Sequence, residues 1–250
     1  MNCESPPDPL ATSPHDAVPP VIEPARARRK ALKETVGLTL ATLAAIKIVL
    51  ALQTALSLPT DVLIAIPMLF LGAPMLLLRF QRRDPEELGM ILTDLRSALK
   101  LNALLGLVVL LPFVVGNHFY QTLFFHRHPQ GVFPKHFWSD VVLYQIVGVG
   151  IPEEFFYRGY VQSRLNEVFP KHFEVLGVTF GPGLFIAALL FTLGHSFIII
   201  RWWHFAIFFP ALLFGWIRER TGNVLAGGLF HAMCNILMVT LDTWYGVIQP

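Results

Sequence analysis

Charge is what this 250-residue sequence has least of. Only 14% of residues are Asp, Glu, Lys or Arg, against roughly a quarter in a soluble domain. With 54% of residues hydrophobic and a mean hydropathy of +0.56, an ordinary soluble enzyme is excluded. Neither sign dominates, the net charge being +2, so no nucleic-acid partner is expected. Cysteine is scarce too. Cys3 and Cys234 lie far apart, which argues against a disulfide framework, and Cys234 reads as a small packing residue in an apolar helix. A secretory signal is not expected, because the first residues are proline-rich and acidic where such a signal is basic and then apolar.

What the chain has in abundance is apolar runs near the ~20 residues that cross a bilayer. They define an all-α polytopic membrane helix bundle. Residues 1–25 contain seven prolines and are expected to form a disordered tail. Residues 26–250 form one membrane-embedded domain. Arg26, Arg28, Arg29, Lys30 and Lys33 precede the first apolar run and place the N-terminus in the cytoplasm. Seven transmembrane spans are expected, at about 36–58, 61–80, 98–116, 138–157, 184–200, 203–217 and 224–247. Lys47 falls inside the first and is expected to face the bundle interior or a wet cavity. Between the second and third spans, Asp84 to Arg96 predicts one interfacial amphipathic helix. Asp84 would cap it, Pro85 would open it, and apolar residues recur at 88, 91, 92, 95 and 99. The outer loop carries His118, His126, His128 and His136, whose spacing matches no standard metal-ligand pattern.

Against this apolar background one stretch stands out: Gly150-Ile-Pro-Glu-Glu-Phe-Phe-Tyr-Arg158. Ionisable groups in apolar spans are costly and mark functional sites. Neighbouring helical residues point about 100° apart, so Glu153 and Glu154 diverge. Glu154 meets Arg158 one turn on, which leaves Glu153 free to act as a general base. His195 lies in the fifth span. His231 and Asn235 share one face of the seventh, where Ala226, Gly227, Gly228 and Ala232 allow a neighbouring helix to approach closely. A carboxylate and an imidazole can bind and deprotonate a water, while a second imidazole and a carboxamide donate to an oxyanion. Together they suffice for amide hydrolysis without a covalent intermediate. Zinc is the other use of two histidines and a glutamate, although no HExxH motif is present. Two non-proteolytic readings stand beside these. One is a membrane scaffold or immunity protein that keeps the residues for structure. The other is a proton-coupled transporter, disfavoured because no inverted repeat is visible.

These residues resemble the CAAX-protease and bacteriocin-processing family of intramembrane proteases. Its EExxxR motif reads Glu153-Glu154-Phe-Phe-Tyr-Arg158, its FxxxH motif reads Phe191-Thr-Leu-Gly-His195, and its HxxxN motif reads His231-Ala-Met-Cys-Asn235. Phe214-Gly215-Trp216 and Arg220-Thr-Gly-Asn223 look like the family as well. The resemblance defines a protease-family core at 138–248. It implies that Glu153 activates water with help from His195, that His231 and Asn235 form the oxyanion pocket, and that Glu154 and Arg158 support the site. It further implies a glutamate mechanism without a cofactor, zinc being the minority alternative, in a site open toward the cytoplasmic half of the membrane. The implied partners are the lipid bilayer and a membrane-anchored protein or peptide substrate. Eukaryotic members trim prenylated CAAX proteins, whereas bacterial members mature peptides, confer immunity or remove C-terminal sorting tails. The compact chain looks bacterial, so an inner-membrane location is expected. Oligomeric state is left open.

Overall fold

A computed structural model describes residues 25–248; the proline-rich tail, with Cys3 and His15, lies outside the described residues. Among these, seven long helical segments follow one another. They are α1 (Ala25–Ala55), α2 (Thr60–Gln81), α3 (Leu95–Phe124), α4 (residues 137–168), α5 (Pro182–Ile198), α6 (Phe208–Thr221) and α7 (Leu225–Trp244). The chain is an all-α integral membrane protein. α1, α2, α3 and α7 are long and apolar enough to cross a bilayer. α5 and α6 have only 17 and 14 residues, and α4 is long but carries the central charges.

The surface explains the composition. Leu40 of α1, Met68 and Phe80 of α2, and Leu107 of α3 are large apolar side chains left exposed. In water such patches promote association, whereas lipid tails are as apolar as leucine. Whereas the first half of α4 leaves Trp138, Leu143 and Val147 exposed, its second half sits inside this shell. Its Phe156, Tyr157, Tyr160, Val161 and Leu165 are buried in one cluster with Ile46 of α1, Phe70 and Leu78 of α2, and Ala187, Ala188 and Phe191 of α5. A second cluster joins Ala98 and Leu105 of α3 to Phe214 and Ile217 of α6 and Phe230 of α7.

α4 is unusual in its backbone bonding. Wide π turns run over Phe137–Gly150 and Phe155–Gln162, and the single α turn between them, Ile151–Glu154, carries both glutamates. Departures of this kind concentrate at functional sites.

Ion pairs gather the helix ends. At one end of the bundle Arg83 forks onto Glu167 with bonds of 3.2 and 2.7 Å, and Arg164 reaches both Glu167 and, at 3.3 Å, Glu34. The start of α1, the end of α2 and the end of α4 therefore lie together. At the opposite end, His118 Nδ1 lies 2.6 Å from the Tyr245 hydroxyl, and the Gln130 amide donates to the Trp244 carbonyl.

Two local readings need correction. The amphipathic helix over 84–96 does not form. Asp84 does cap a turn, accepting from the Glu86 amide, but that turn is a single 3-10 stretch, Pro85–Leu88. Gly89 then takes φ +63°, packed so tightly that a Cβ there would lie 2.4 Å from the Gly222 carbonyl. Arg218 captures the Leu88 carbonyl at 2.6 Å, so tertiary contacts outcompete the local helical pattern. The helix restarts only at Leu95, where Asp94 accepts from the Ser97 amide. The second difference is an antiparallel hairpin, β1 (Phe173–Val175) and β2 (Val178–Phe180), between α4 and α5. Its Leu176-Gly177 turn has both residues at positive φ, the geometry that matches strand twist.

α4 and α7 touch through glycine. A Cβ on Gly150 would stand 2.5 Å from the Gly228 carbonyl oxygen and 2.9 Å from the Ala232 nitrogen. Both are backbone atoms and cannot rotate away. Gly150→Ala is expected to lower stability by about 1–3 kcal/mol, read as a lower thermal midpoint in detergent, whereas Gly37→Ala, which meets open space, should leave it unchanged.

Candidate active site

The site is assembled from α4, α5, α6 and α7. Arg158 lies one turn after Glu154, as the spacing requires, and its Nε is 3.2 Å from Glu154 Oε2. Both side chains are essentially inaccessible, at 1% and 0% exposure. His231 on α7 brings Nδ1 to 3.3 Å from the other Glu154 oxygen. Neither contact is an aligned hydrogen bond. Arg158 is also held from two further sides. Its Nη2 donates to the Ala211 carbonyl of α6 at 3.0 Å, and its guanidinium lies 4.5 Å from the centre of the Phe191 ring and 5.5 Å from that of Phe214. Such cation–π placement offsets part of the cost of a desolvated charge. Phe214 in turn stacks on the His231 ring, with centroids 4.8 Å apart and planes 18° from parallel.

Glu153 faces a different partner. His195 Nδ1 pairs with the Phe191 carbonyl one turn back on α5 at 2.9 Å. Only an N–H can bond a carbonyl, so this contact fixes the tautomer and leaves Nε2 as the working nitrogen. Nε2 is 3.8 Å from Glu153 Oε2, and both residues keep some exposure, 32% for His195 and 15% for Glu153. Among the described residues Glu153 Oε2 has no hydrogen-bond partner. Gly194, next to His195, is needed for space: a Cβ there would lie 2.6 Å from the buried Tyr157 hydroxyl.

All six residues singled out in the sequence fall in this region, but in distinct sets. Glu153 faces His195. Glu154, Arg158 and His231 form a triad. Asn235 is placed on the face of α7 that carries His231, where its Nδ2 donates to Gln145 of α4 at 2.9 Å. Gln145, Tyr157 and Phe214 were given no role from sequence. Gln145 is detectable as an isolated amide in an apolar run; Phe214 falls in a stretch that resembles the family and Tyr157 within the EExxxR motif, but nothing in the sequence gives either ring a role beyond packing. Among the described residues, no three His, Cys, Asp or Glu side chains are grouped to hold a metal ion. The Glu154 carboxylate is shared between Arg158 and His231, and His195 faces Glu153.

Removing one member of a buried pair leaves the other charge uncompensated. Arg158→Met is expected to destabilise the protein by about 3–5 kcal/mol. Combining it with Glu154→Gln should recover part of the loss, because no orphan carboxylate then remains. Thermal unfolding of both variants in detergent checks this.

Residues 134–237 match the family model described as Rce1-like, type II CAAX prenyl endopeptidase. The matched stretch runs from just before α4 into α7 and contains all six residues. No curated protein and no solved structure among those compared matches the chain.

Proposed function

We propose that this chain, whose residues 134–237 match the Rce1-like family model, is a member of the CAAX-protease family and an intramembrane endopeptidase that cleaves a membrane-anchored protein or peptide with a water activated by Glu153. The observation that carries the reading is Glu153 Oε2 facing His195 Nε2 across 3.8 Å in a partly exposed part of the polar cluster. That separation is too long for a direct hydrogen bond and suits one water oxygen bonded to both groups.

In this reading Glu153 takes a proton from that water, and its oxygen attacks the scissile carbonyl carbon. His195, its tautomer fixed by the Phe191 carbonyl, orients the water by accepting its other hydrogen at Nε2, and the protonated Glu153 carboxyl gives the proton it took to the leaving amine as the C–N bond breaks. His231 and Asn235 supply donors to the oxyanion. Glu154 and Arg158 hold His231, the middle of α5 at Phe191 and the first turn of α6 at Ala211 in place and do not touch the reacting atoms. No nucleophilic side chain is required. Metal independence is part of the proposal, supported by the division of the two histidines between different carboxylates.

The substrate class is a chain held in the bilayer by a lipid or an apolar tail. Removal of a C-terminal sorting tail, or peptide processing, in a bacterial inner membrane is the specific form we favour. The basic run Arg26 to Lys33 before the first span supports a cytoplasmic N-terminus.

The test compares wild type with Glu153→Gln on membrane-anchored peptides, prenylated and unprenylated, with and without a chelator. Wild-type cleavage should survive chelation, and Glu153→Gln should cut kcat by about 10²–10⁴-fold, the range for losing a positioned base, with the fold intact. Normal cleavage by a well-folded Glu153→Gln would refute the mechanism. Loss on chelation with recovery by zinc would replace it with a metal-dependent one.

A further inference from the structure

Lys47 is the single charge in the interior of α1, and the reaction as described does not use it. An ammonium at membrane depth needs a partner, yet among the described residues no carboxylate pairs with it. Instead its Nζ donates to two backbone carbonyls at the end of α5, Phe197 O at 3.1 Å and Ile198 O at 2.7 Å. The same ammonium lies 5.9 Å from the centre of the Phe197 ring.

The reason lies in the length of α5. At 1.5 Å per residue its 17 residues reach about 25 Å, short of a full apolar crossing of ~30 Å. α1 and α5 start from the same end of the bundle, since Glu34 meets Arg164 near the end of α4 and α5 begins just after the hairpin. Lys47 is about 20 Å along α1 from Glu34, and Ile198 is about 24 Å along α5 from Pro182. The two therefore meet at similar distances from that end of the bundle, on its exposed, apolar surface. A helix leaves its last carbonyls unbonded, and in a bilayer no solvent takes them up. The Ile199 amide closes the last helical bond, to the His195 carbonyl at 3.0 Å, and the chain then turns extended. Lys47 takes the two following open carbonyls it can reach. A cation at a helix C-terminus is also favourably placed against the macrodipole.

The capped turn begins at His195. From these contacts we propose that Lys47 is a positioning residue: by capping the last turn of α5 from α1, it fixes His195 opposite Glu153. The kinetic part rests on the protease reading above; the structural part does not.

The test uses the full chain in lipid nanodiscs, as wild type, Lys47→Met and Lys47→Arg. Lys47→Met keeps length and apolar bulk but cannot donate, while Lys47→Arg keeps donors. Hydrogen exchange in the segment 196–201 should rise about tenfold in Lys47→Met, the signature of a frayed turn, with the segment 225–237 of α7 unchanged. Carbethoxylation of His195, followed by mass spectrometry, should change in rate at least ~threefold, reporting its placement without any substrate. On a substrate that wild type cleaves, kcat should fall about 10–100-fold with KM nearly constant, as for a misplaced catalytic group. Lys47→Arg should restore all three. Unchanged exchange and His195 reactivity in Lys47→Met would overturn the proposal, as would a frayed turn with unaltered kcat. If wild type cleaves nothing, or cleaves independently of Glu153, the protease reading fails by itself, and exchange with His195 reactivity still decides the role of Lys47.

Discussion

The fully desolvated contact between Glu154 and Arg158 is the constraint on which the site depends. Two charges with 0% and 1% exposure in a bilayer protein are tolerable only if each is surrounded by compensating groups. Meeting that requirement draws in the rest of the bundle. Arg158 needs the Ala211 carbonyl of α6 and the faces of Phe191 and Phe214; Glu154 needs His231 of α7. One helical turn on α4 thereby fixes the mutual placement of α5, α6 and α7. Glu153, one residue earlier, is turned away from the pair and meets His195 instead. The adjacent glutamates thus face different partners, and in the proposed mechanism the first is the one left for chemistry.

Close approach is the second constraint. His231 reaches Glu154 because α7 presents small residues to α4: a Cβ on Gly227 would come within 3.4 Å of Glu154 Oε2, and one on Gly228 within 3.1 Å of the Ile151 Cα. The π turns flanking Ile151–Glu154 alter the phase at which α4 presents its side chains. Packing among small residues takes the place of the hydrophobic drive that lipid removes.

Much of this was legible in the chain because membranes make polarity conspicuous. Isolated Glu, His, Arg and Asn in apolar runs are read directly, and the i, i+4 spacings of Glu154 with Arg158 and His231 with Asn235 placed each pair on one helix face. The division of partners was not legible. Nothing in the spacing says that His231 serves Glu154 while His195 serves Glu153, since that depends on how four helices rotate against one another. Gln145, the partner of Asn235, was passed over although it meets the same criterion of an isolated polar group. The helix expected after Asp84 does not form because its periodicity is weaker than the capture of the Leu88 carbonyl by Arg218 and the turn that Gly89 makes at positive φ. The 173–180 hairpin is a short element between two apolar spans, and its only signal is that Phe-Glu-Val-Leu-Gly-Val-Thr-Phe alternates around a tight-turn glycine.

The central claim is that Glu153 activates water and forms no bond to the substrate. Single-turnover cleavage in ¹⁸O-labelled water, with mass spectrometry of both peptide and enzyme, tests it most directly. The account predicts one ¹⁸O atom in the new peptide C-terminal carboxylate and none in the Glu153 side chain. Label in the Glu153 carboxylate, or a peptide trapped on it, would contradict the account and make Glu153 a nucleophile.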